Sequence, residues 1–170
     1  MPLHSYLRMN IIVKGKAMDP EQLPLRLDRF KETLRRSGTK MTHQRMEIFK
    51  EAAKSGDHPN AEMIHKRVRK RIHSVSLDTV YRTLWLLVDF GLITTLGPVK
   101  DRVRFDGNVD SHHHFVCTKC GKAHDFYNGE FDHLRVPDSV KALGSVNRTR
   151  VEFSGFCSRC LKQAKRGKPQ

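Results

Sequence analysis

Residues 110–126, DSHHHFVCTKCGKAHDF, gather three kinds of metal-binding side chain in one short stretch. Imidazoles, thiolates and carboxylates are the groups with which proteins hold divalent transition metals. Cys117 and Cys120 form a Cys-x-x-Cys pair, and Cys157 and Cys160 form a second pair further along the chain. The stretch can therefore contribute to one metal site or to two.

The two cysteine pairs can bring four thiolates to one tetrahedral centre. Such an all-sulfur shell suits Zn²⁺ and leaves no open position, which makes the site structural rather than catalytic. A thiol-redox pair and an iron–sulfur cluster are the alternatives. A redox Cys-x-x-Cys normally opens a helix after a strand, and two of them would be unusual. The sequence therefore favours one structural Zn²⁺ held by Cys117, Cys120, Cys157 and Cys160.

The histidines cannot join a closed four-thiolate site. On a strand, His112 and His114 project to one face and His113 to the other. The cysteine knuckle turns the chain back, so the run KAHDF can lie antiparallel beside HHFVC and bring Asp125 close to His114. Asp106 lies at the junction with the preceding half of the chain. A His/Asp shell suits Fe²⁺, Mn²⁺ or Zn²⁺. The alternative is a surface histidine cluster without metal.

The first half of the chain must position these ligands, and its pattern predicts four helices followed by a β-hairpin. The first helix covers residues 23–36 and stops at Gly38. The second begins at Thr42, the third after Asn60, and the fourth runs from Ser76 to Gly91. Two short β runs, LITTL and RVRF, are joined by the turn GPVKD. The apolar face of the first helix comprises Leu23, Leu27, Phe30 and Leu34, and that of the second comprises Met46, Phe49 and Ala53. The third helix has Ala61, Ile64, Val68 and Ile72 on its apolar face, and the fourth has Leu77, Val80, Leu84, Leu87 and Val88.

Helices followed directly by a basic hairpin indicate a winged helix-turn-helix. The fourth helix would then enter a major groove with its first turns, and the wing would contact the DNA backbone. A generic small helical bundle, in which Tyr81 and Arg82 cover a core edge, is the alternative. The candidate DNA contacts are Thr79, Tyr81 and Arg82 on the helix, and Lys100, Arg102 or Arg104 on the wing.

Charge supports a polyanionic partner. The 170 residues include 32 Lys and Arg against 18 Asp and Glu, a formal net charge of +14. Such an excess favours nucleic acid over the alternative of a merely soluble basic protein. No apolar run approaches the roughly 20 residues of a membrane span, and the patch MNIIV near the start is too weak for a secretory signal. A cytoplasmic protein without a membrane partner is expected.

Taken together, several segments resemble the ferric uptake regulator family of bacterial metal-dependent repressors. They are TKMTHQR, HPNAEMI, SLDTVYRTLWLLVDFGLI, RFD, HHHFVCTKCGKAHDF and FCSRC. The resemblance implies an α+β homodimer on A/T-rich palindromic operators. It implies a flexible arm over 1–20, a winged-helix DNA-binding domain over 21–106, and a small α/β dimerisation domain with a basic tail over 107–170. The true start, at Met1, Met9 or Met18, stays open.

The resemblance also implies site residues. The structural zinc falls on the four cysteines, and Tyr81 and Arg82 match DNA-reading positions. A regulatory site for Fe²⁺ or Mn²⁺ falls on His58, Asp106, His112, His114 and Asp125.

Two aspartates make the chain most similar to the peroxide-responsive, PerR-type members. Asp106 and Asp125 stand where iron-sensing members usually have glutamates. In PerR-type members peroxide reacts at the metal and a histidine ligand gains oxygen, which corresponds here to His58 or His112. The alternative is a repressor of metal-uptake genes that responds to iron, zinc or manganese without sensing peroxide. A further metal site of iron-uptake members is not rebuilt by Ser111, His113 and Thr149.

Two other classes remain as alternatives. A hydrolytic metal centre on His112, His114 and an aspartate would make the protein an enzyme, but no general base is evident. An RNA-binding zinc ribbon would need stacking aromatic side chains, and aromatic residues are only 8% of the chain. We therefore expect a regulator rather than an enzyme.

Overall fold

The computed structural model describes residues 22–97, 103–147 and 149–166, so the predicted arm, Lys100, Arg102 and the last four residues lie outside the described residues. The four predicted helices are confirmed, and in each of the last three the predicted cap accepts a backbone N–H: Thr42, Asn60 and Ser76. None of the helices in the described ranges is long and apolar enough to cross a membrane. The helices are α1 (Gln22–Arg36), α2 (His43–Lys54), α3 (Ala61–Val68) and α4 (Leu77–Asp89).

The four helices pack around one apolar core. Phe30 of α1 and Phe49 of α2 stack with ring centroids 4.5 Å apart. Burial of each such large side chain stabilises the fold by about 1.5–3 kcal/mol. The predicted faces supply Phe30, Leu34, Phe49, Ile64, Val68, Val80, Leu84 and Leu87 to this core. Ile48 of α2 is also fully buried, although the predicted face of that helix did not include it.

A short hairpin follows α4. Strands β1 (Thr94–Leu96) and β2 (Arg104–Asp106) pair antiparallel, with Thr94 opposite Asp106. β1 is shorter than the predicted run because Leu92 and Ile93 are buried in the helical core instead of pairing. β2 ends one residue later than predicted, so Asp106 is the last residue of the hairpin.

The second half is built on a three-stranded sheet. Its strands β3 (His113–Cys117), β4 (Ala123–Phe126) and β5 (Glu152–Gly155) lie in the order β4-β3-β5. β3 pairs antiparallel with β4 and parallel with β5. The short helices α5 (Gly129–Asp132) and α6 (Asp138–Lys141) lie in the β4–β5 connection.

The C-terminal segment differs from the prediction. A basic tail was predicted for the end of the chain, but α7 extends over Ser158–Arg166. Its sequence SRCLKQAKR is rich in residues with high helix propensity. Cys160 in its first turn is only 2% exposed, so it anchors the helix to the sheet.

The chain passes from the helical half to the sheet through a tight contact at Gly107. A Cβ at this position would lie 2.4 Å from the carbonyl oxygen of Ala52 and 2.8 Å from the Cα of Ala53. Both atoms belong to the backbone of α2, which cannot yield as a flexible side chain would. Glycine at 107 therefore lets the linker lie directly on α2. A second contact between the halves is made by Arg150, whose Nη1 donates to the carbonyl of Thr95 at 3.0 Å.

We expect Gly107→Ala to destabilise the protein by about 1–3 kcal/mol, the usual cost of overpacking. Urea denaturation followed by circular dichroism measures this loss. Gly129→Ala is the matched control, because a Cβ there meets nothing within 4 Å. Equal midpoints for the two variants would show that the linker does not rest on α2.

Candidate metal centres

The four cysteines converge as predicted. Their sulfur atoms all lie within 4.8 Å of one another, and Cys120 Sγ is 3.9 Å from Cys157 Sγ. Zn–S bonds of about 2.3 Å in a tetrahedron place sulfurs about 3.8 Å apart, whereas a disulfide needs about 2.05 Å. All four thiols are free. The spacing fits a four-thiolate zinc site.

The environment of the thiols also favours a cation. Amide hydrogen bonds, first from Cys157 and then from Cys120, lower the pKa of Cys117 to about 6. The Cys157 N–H lies 3.3 Å from this sulfur. Burial, followed by the neighbouring thiols, raises the pKa of Cys160 to about 12. Burial and the neighbouring thiols thus oppose ionisation of Cys160, and a bound Zn²⁺ would overcome this because it deprotonates its thiol ligands.

A second cluster of ligands lies at the junction of the two halves. His58 Nε2 is 2.8 Å from Asp125 Oδ1, and His112 Nε2 is 3.0 Å from Asp106 Oδ2. His114 Nε2 lies between the two carboxylates, at 3.3 Å from Asp106 and 3.4 Å from Asp125. Each of these five residues is at most 2% exposed. The structure thus brings together every residue that was predicted for the regulatory site.

Several polar atoms of this cluster lack a hydrogen bond. Nε2 of His112, Nε2 of His114 and Oδ1 of Asp125 are fully buried, yet none has a partner in hydrogen-bond geometry. Leaving such an atom unsatisfied costs about 1–3 kcal/mol. The ligand atoms of His58, Asp106, His112 and His114 all lie within 4.8 Å of one another, as the ligands of one metal ion do. The donor set of three imidazoles and two carboxylates fits Fe²⁺, Mn²⁺ or Zn²⁺.

The orientation of the ligands and the shifts of their pKa values also favour a metal site. Nδ1 of His112 lies 2.8 Å from the carbonyl of Asp110, and donation from Nδ1–H leaves Nε2 as the ligand atom. Burial opposes ionisation of Asp106, but the facing imidazoles of His112 and His114 outweigh it and lower the pKa of this carboxyl well below its usual range. Burial lowers the pKa of His114, which favours the neutral imidazole that binds metals. His112 differs, because Asp106 and the Asp110 carbonyl outweigh burial and raise its pKa.

The ligands come from both halves of the molecule. His58 lies in the loop between α2 and α3, and Asp106 ends β2. His112 immediately precedes β3, His114 lies within it, and Asp125 comes from β4. The predicted register is confirmed, since His114 pairs directly with Asp125. Any ion held by all five would bridge the winged-helix half and the sheet.

His58 is held in an unusual backbone conformation by β2. Its φ is +47°, in the left-handed region that non-glycine residues seldom occupy. Arg104 Nη1 donates to the His58 carbonyl at 2.9 Å, and the Phe105 N–H donates to the Pro59 carbonyl at 2.9 Å. Arg104 was predicted as one of three possible wing contacts to DNA, and in the structure its guanidinium donates to the His58 loop. Sequence reasoning missed this role, because a hydrogen bond to a distant carbonyl has no sequence pattern.

We expect Arg104→Gln to weaken Mn²⁺ binding at this site about 10- to 100-fold, the usual effect of losing a residue that orients a metal ligand. Calorimetric titration of the zinc-loaded protein with Mn²⁺ measures the change. Arg135→Gln, at an exposed arginine of the sheet half, is the control. Unchanged Mn²⁺ affinity in Arg104→Gln would show that the loop holds His58 without this hydrogen bond.

His113 takes no part in either cluster. As predicted, it projects to the opposite face, where its ring packs against Phe126 and Phe131. Its Nδ1 accepts from the Val151 N–H at 3.3 Å, and its Nε2 lies 3.3 Å from Asp132 Oδ1. His113 therefore joins β3 to the aromatic side chains of Phe126 and Phe131 on the opposite face of the sheet.

The predicted DNA-reading side chains lie on the outer face of α4. Arg82 is 81% exposed along its side chain, with Nε 2.9 Å from Asp78 Oδ2. The Tyr81 hydroxyl donates to Glu62 Oε1 at 2.6 Å. Thr79 is half-buried, with its hydroxyl 2.8 Å from that of Ser76. Tyr81 and Arg82 are accessible to a ligand, whereas Thr79 is largely engaged in the helix start.

Comparison with known proteins places the chain in one family. The profile of the ferric uptake regulator family matches residues 36–144. The peroxide-responsive repressor PerR of Staphylococcus epidermidis is 30% identical over 131 residues, which cover 77% of this chain and 87% of that protein. The solved Campylobacter jejuni peroxide stress regulator is 26% identical, with a TM-score of 0.59, over 79% of this chain and 98% of that one. The Helicobacter pylori ferric uptake regulator shares the fold, with a TM-score of 0.68 at 24% identity over 81% and 93% of the two chains. The chain belongs to the ferric uptake regulator family.

Proposed function

We propose that this protein is a metal-dependent DNA-binding repressor whose affinity for operator DNA is set by a divalent ion at the interface of its two halves. Members of its family are transcriptional regulators rather than enzymes. The observation that carries the proposal is the buried convergence of His58 and Asp106 from one half with His112, His114 and Asp125 from the other. The partner would be double-stranded, A/T-rich palindromic DNA, bound by a homodimer.

The division of labour follows the chain order. Residues 21–106 would bind DNA through α4 and the hairpin, and residues 107–170 would form the dimer. The segment 1–20 would act as a flexible arm. Cys117, Cys120, Cys157 and Cys160 would hold Zn²⁺ permanently and keep α7 against the knuckle between β3 and β4. The net charge of +14 would add non-specific affinity for phosphates and steepen the salt dependence of binding.

The five ligands suggest how metal controls DNA binding. When His58 and the ligands of the sheet share one ion, the helical half can no longer rotate against the sheet. In a dimer this angle sets the distance between the two α4 helices, which must match half-sites about 34–36 Å apart. Without the ion, the buried carboxylates and imidazoles lose the partner they share, which favours separation of the halves. Such couplings typically amount to about 1–3 kcal/mol, or roughly 5- to 150-fold in affinity.

We further propose that the site senses peroxide. The support is the pair Asp106 and Asp125, together with the similarity to repressors and a regulator named for their peroxide response. Bound Fe²⁺ would supply the electron that reduces peroxide. His58 and His112 would then be the ligands that take up an oxygen atom. A modified His58 would no longer tie the helical half to the sheet, so the repressor would leave its DNA. The alternative is response to iron, zinc or manganese alone.

We expect peroxide to abolish DNA binding by the Fe²⁺-loaded protein and to leave the Mn²⁺-loaded protein unaffected. Fluorescence anisotropy with operator DNA measures binding before and after treatment. Peptide mass spectrometry on the same samples should find one added oxygen atom at His58 or His112 in the iron form only. Undiminished binding by the iron form would contradict peroxide sensing and would favour the metal-responsive alternative.

A further inference from the structure

An exposed ion pair occupies the outer face of the first turns of α4. Asp78 and Arg82 are 68% and 81% exposed along their side chains, and Arg82 Nε lies 2.9 Å from Asp78 Oδ2. They are one helical turn apart, so they share a face. Tyr81 beside them is engaged separately, because its hydroxyl donates to Glu62 of α3.

Stability alone gives little reason for this carboxylate. Exposed ion pairs contribute little to folding, and Asp78 adds only the modest benefit of an acidic residue in a first turn. If α4 enters DNA, as the proposed function requires, the carboxylate of Asp78 also weakens DNA binding. On the helix that enters DNA, phosphates repel an aspartate unless its oxygens find hydrogen-bond donors. Arg82 Nε supplies one donor to Asp78 Oδ2, and a donor on the DNA itself would satisfy the remaining acceptor positions of the carboxylate.

The major groove offers few donors. Only the N4 amino group of cytosine and the N6 amino group of adenine donate there, while guanine and thymine present acceptors to the protein. A carboxylate pairs with cytosine N4, and a guanidinium pairs with O6 and N7 of guanine. The contact with Asp78 engages Nε of Arg82, so the two Nη groups of Arg82 can donate as a pair. The carboxylate of Asp78 and the guanidinium of Arg82 lie side by side, so they match the cytosine and guanine edges of one C·G base pair.

We propose that Asp78 and Arg82 together read a C·G base pair within the operator, an inference that rests on the proposed function. Asp78 accepts from N4 of the cytosine, and Arg82 donates to the guanine of the same pair. Asp78 is thereby a specificity-determining residue, which rejects bases that present only acceptors at its position. A C·G pair then stands at a fixed place in each half of an otherwise A/T-rich site.

Selection from a duplex library with a randomised core tests this reading. The Mn²⁺-loaded, zinc-containing protein is used as wild type, as Asp78→Ala, as Asp78→Asn and as Asp89→Ala. Asp89 is an exposed carboxylate at the far end of the same helix and serves as the matched control. Circular dichroism checks that each variant is folded.

Wild type and Asp89→Ala should select the same sequence, with C·G preferred at one position by about 5- to 150-fold. Asp78→Ala should weaken the preference at that position alone, to what the contact of Arg82 with guanine retains. Asp78→Asn should shift the preference there from C·G towards A·T, because an amide pairs with N6 and N7 of adenine. A role limited to stabilising the helix would weaken all sequences equally and would not change base preference.

The outcomes separate the two proposals. If wild type selects no shared sequence, the proposed function is overturned and this inference falls with it. Two results overturn the inference alone and leave the proposed repressor function standing. In the first, wild type selects a shared sequence that contains no preferred C·G pair. In the second, Asp78→Ala keeps the C·G preference of wild type unchanged.

Discussion

Cys160→Ser is expected to release the structural zinc and to unfold the C-terminal half of the protein. Cys160 is 2% exposed and joins α7 to the knuckle that carries Cys117 and Cys120. Binding of structural Zn²⁺ is worth about 10–16 kcal/mol at neutral pH, while a whole domain is stable by only about 5–15 kcal/mol. Losing one thiolate therefore removes most of what holds this half together. Elemental analysis for zinc and thermal denaturation measure the two losses.

Thr118→Ala is the matched control for the zinc prediction. Thr118 lies in the same knuckle and is exposed, and its hydroxyl makes only a long contact, 3.4 Å, with the Gly155 carbonyl. This variant should keep its zinc and melt close to wild type. A Cys160→Ser protein that retains zinc and melts like the control would contradict a four-thiolate structural site.

His58→Asn is expected to abolish the effect of metal on DNA binding while leaving the fold intact. His58 is the ligand contributed by the α2–α3 loop, so without it the ligands of the sheet hold the helical half only through Asp106 at the junction. Asparagine tolerates positive φ, so the left-handed backbone at this position is retained. In wild type, Mn²⁺ should tighten DNA binding roughly 5- to 150-fold. In the variant that gain should disappear, as followed by anisotropy at fixed ionic strength.

His73→Asn is the control for that experiment. His73 is an exposed histidine in the same half of the protein, outside both ligand clusters. It should respond to Mn²⁺ like wild type. If His58→Asn keeps the full response, the ion does not act by joining the two halves.

The sequence was most informative where ligands are close along the chain. Strand alternation placed His112 and His114 on one face, and the turn at the cysteine knuckle brought Asp125 opposite His114, as the register confirms. The four helices followed from apolar spacing and from capping residues such as Thr42 and Ser76. These features depend on local geometry, which a single sequence records directly.

Features that depend on packing between the halves were not accessible in this way. The position of His58 came only from family resemblance, because nothing in the spacing of the chain brings its loop to β3. The role of Arg104 depends on a hydrogen bond to a residue 46 positions away and has no sequence signal. The helix α7 was missed because the basic composition of CSRCLKQAKRGKPQ resembles a solvated tail, whereas Cys160 fixes its first turn.

The most direct test of the account compares Mn²⁺ affinity of the zinc-loaded protein with and without saturating DNA of the selected sequence. Coupling between two sites is reciprocal, so DNA must raise Mn²⁺ affinity by the same factor by which Mn²⁺ raises DNA affinity. We predict a matching increase of roughly 5- to 150-fold in wild type and none in His58→Asn. Mn²⁺ affinity that is the same with and without DNA would contradict the claim that one ion, shared by the two halves, sets the DNA-binding shape.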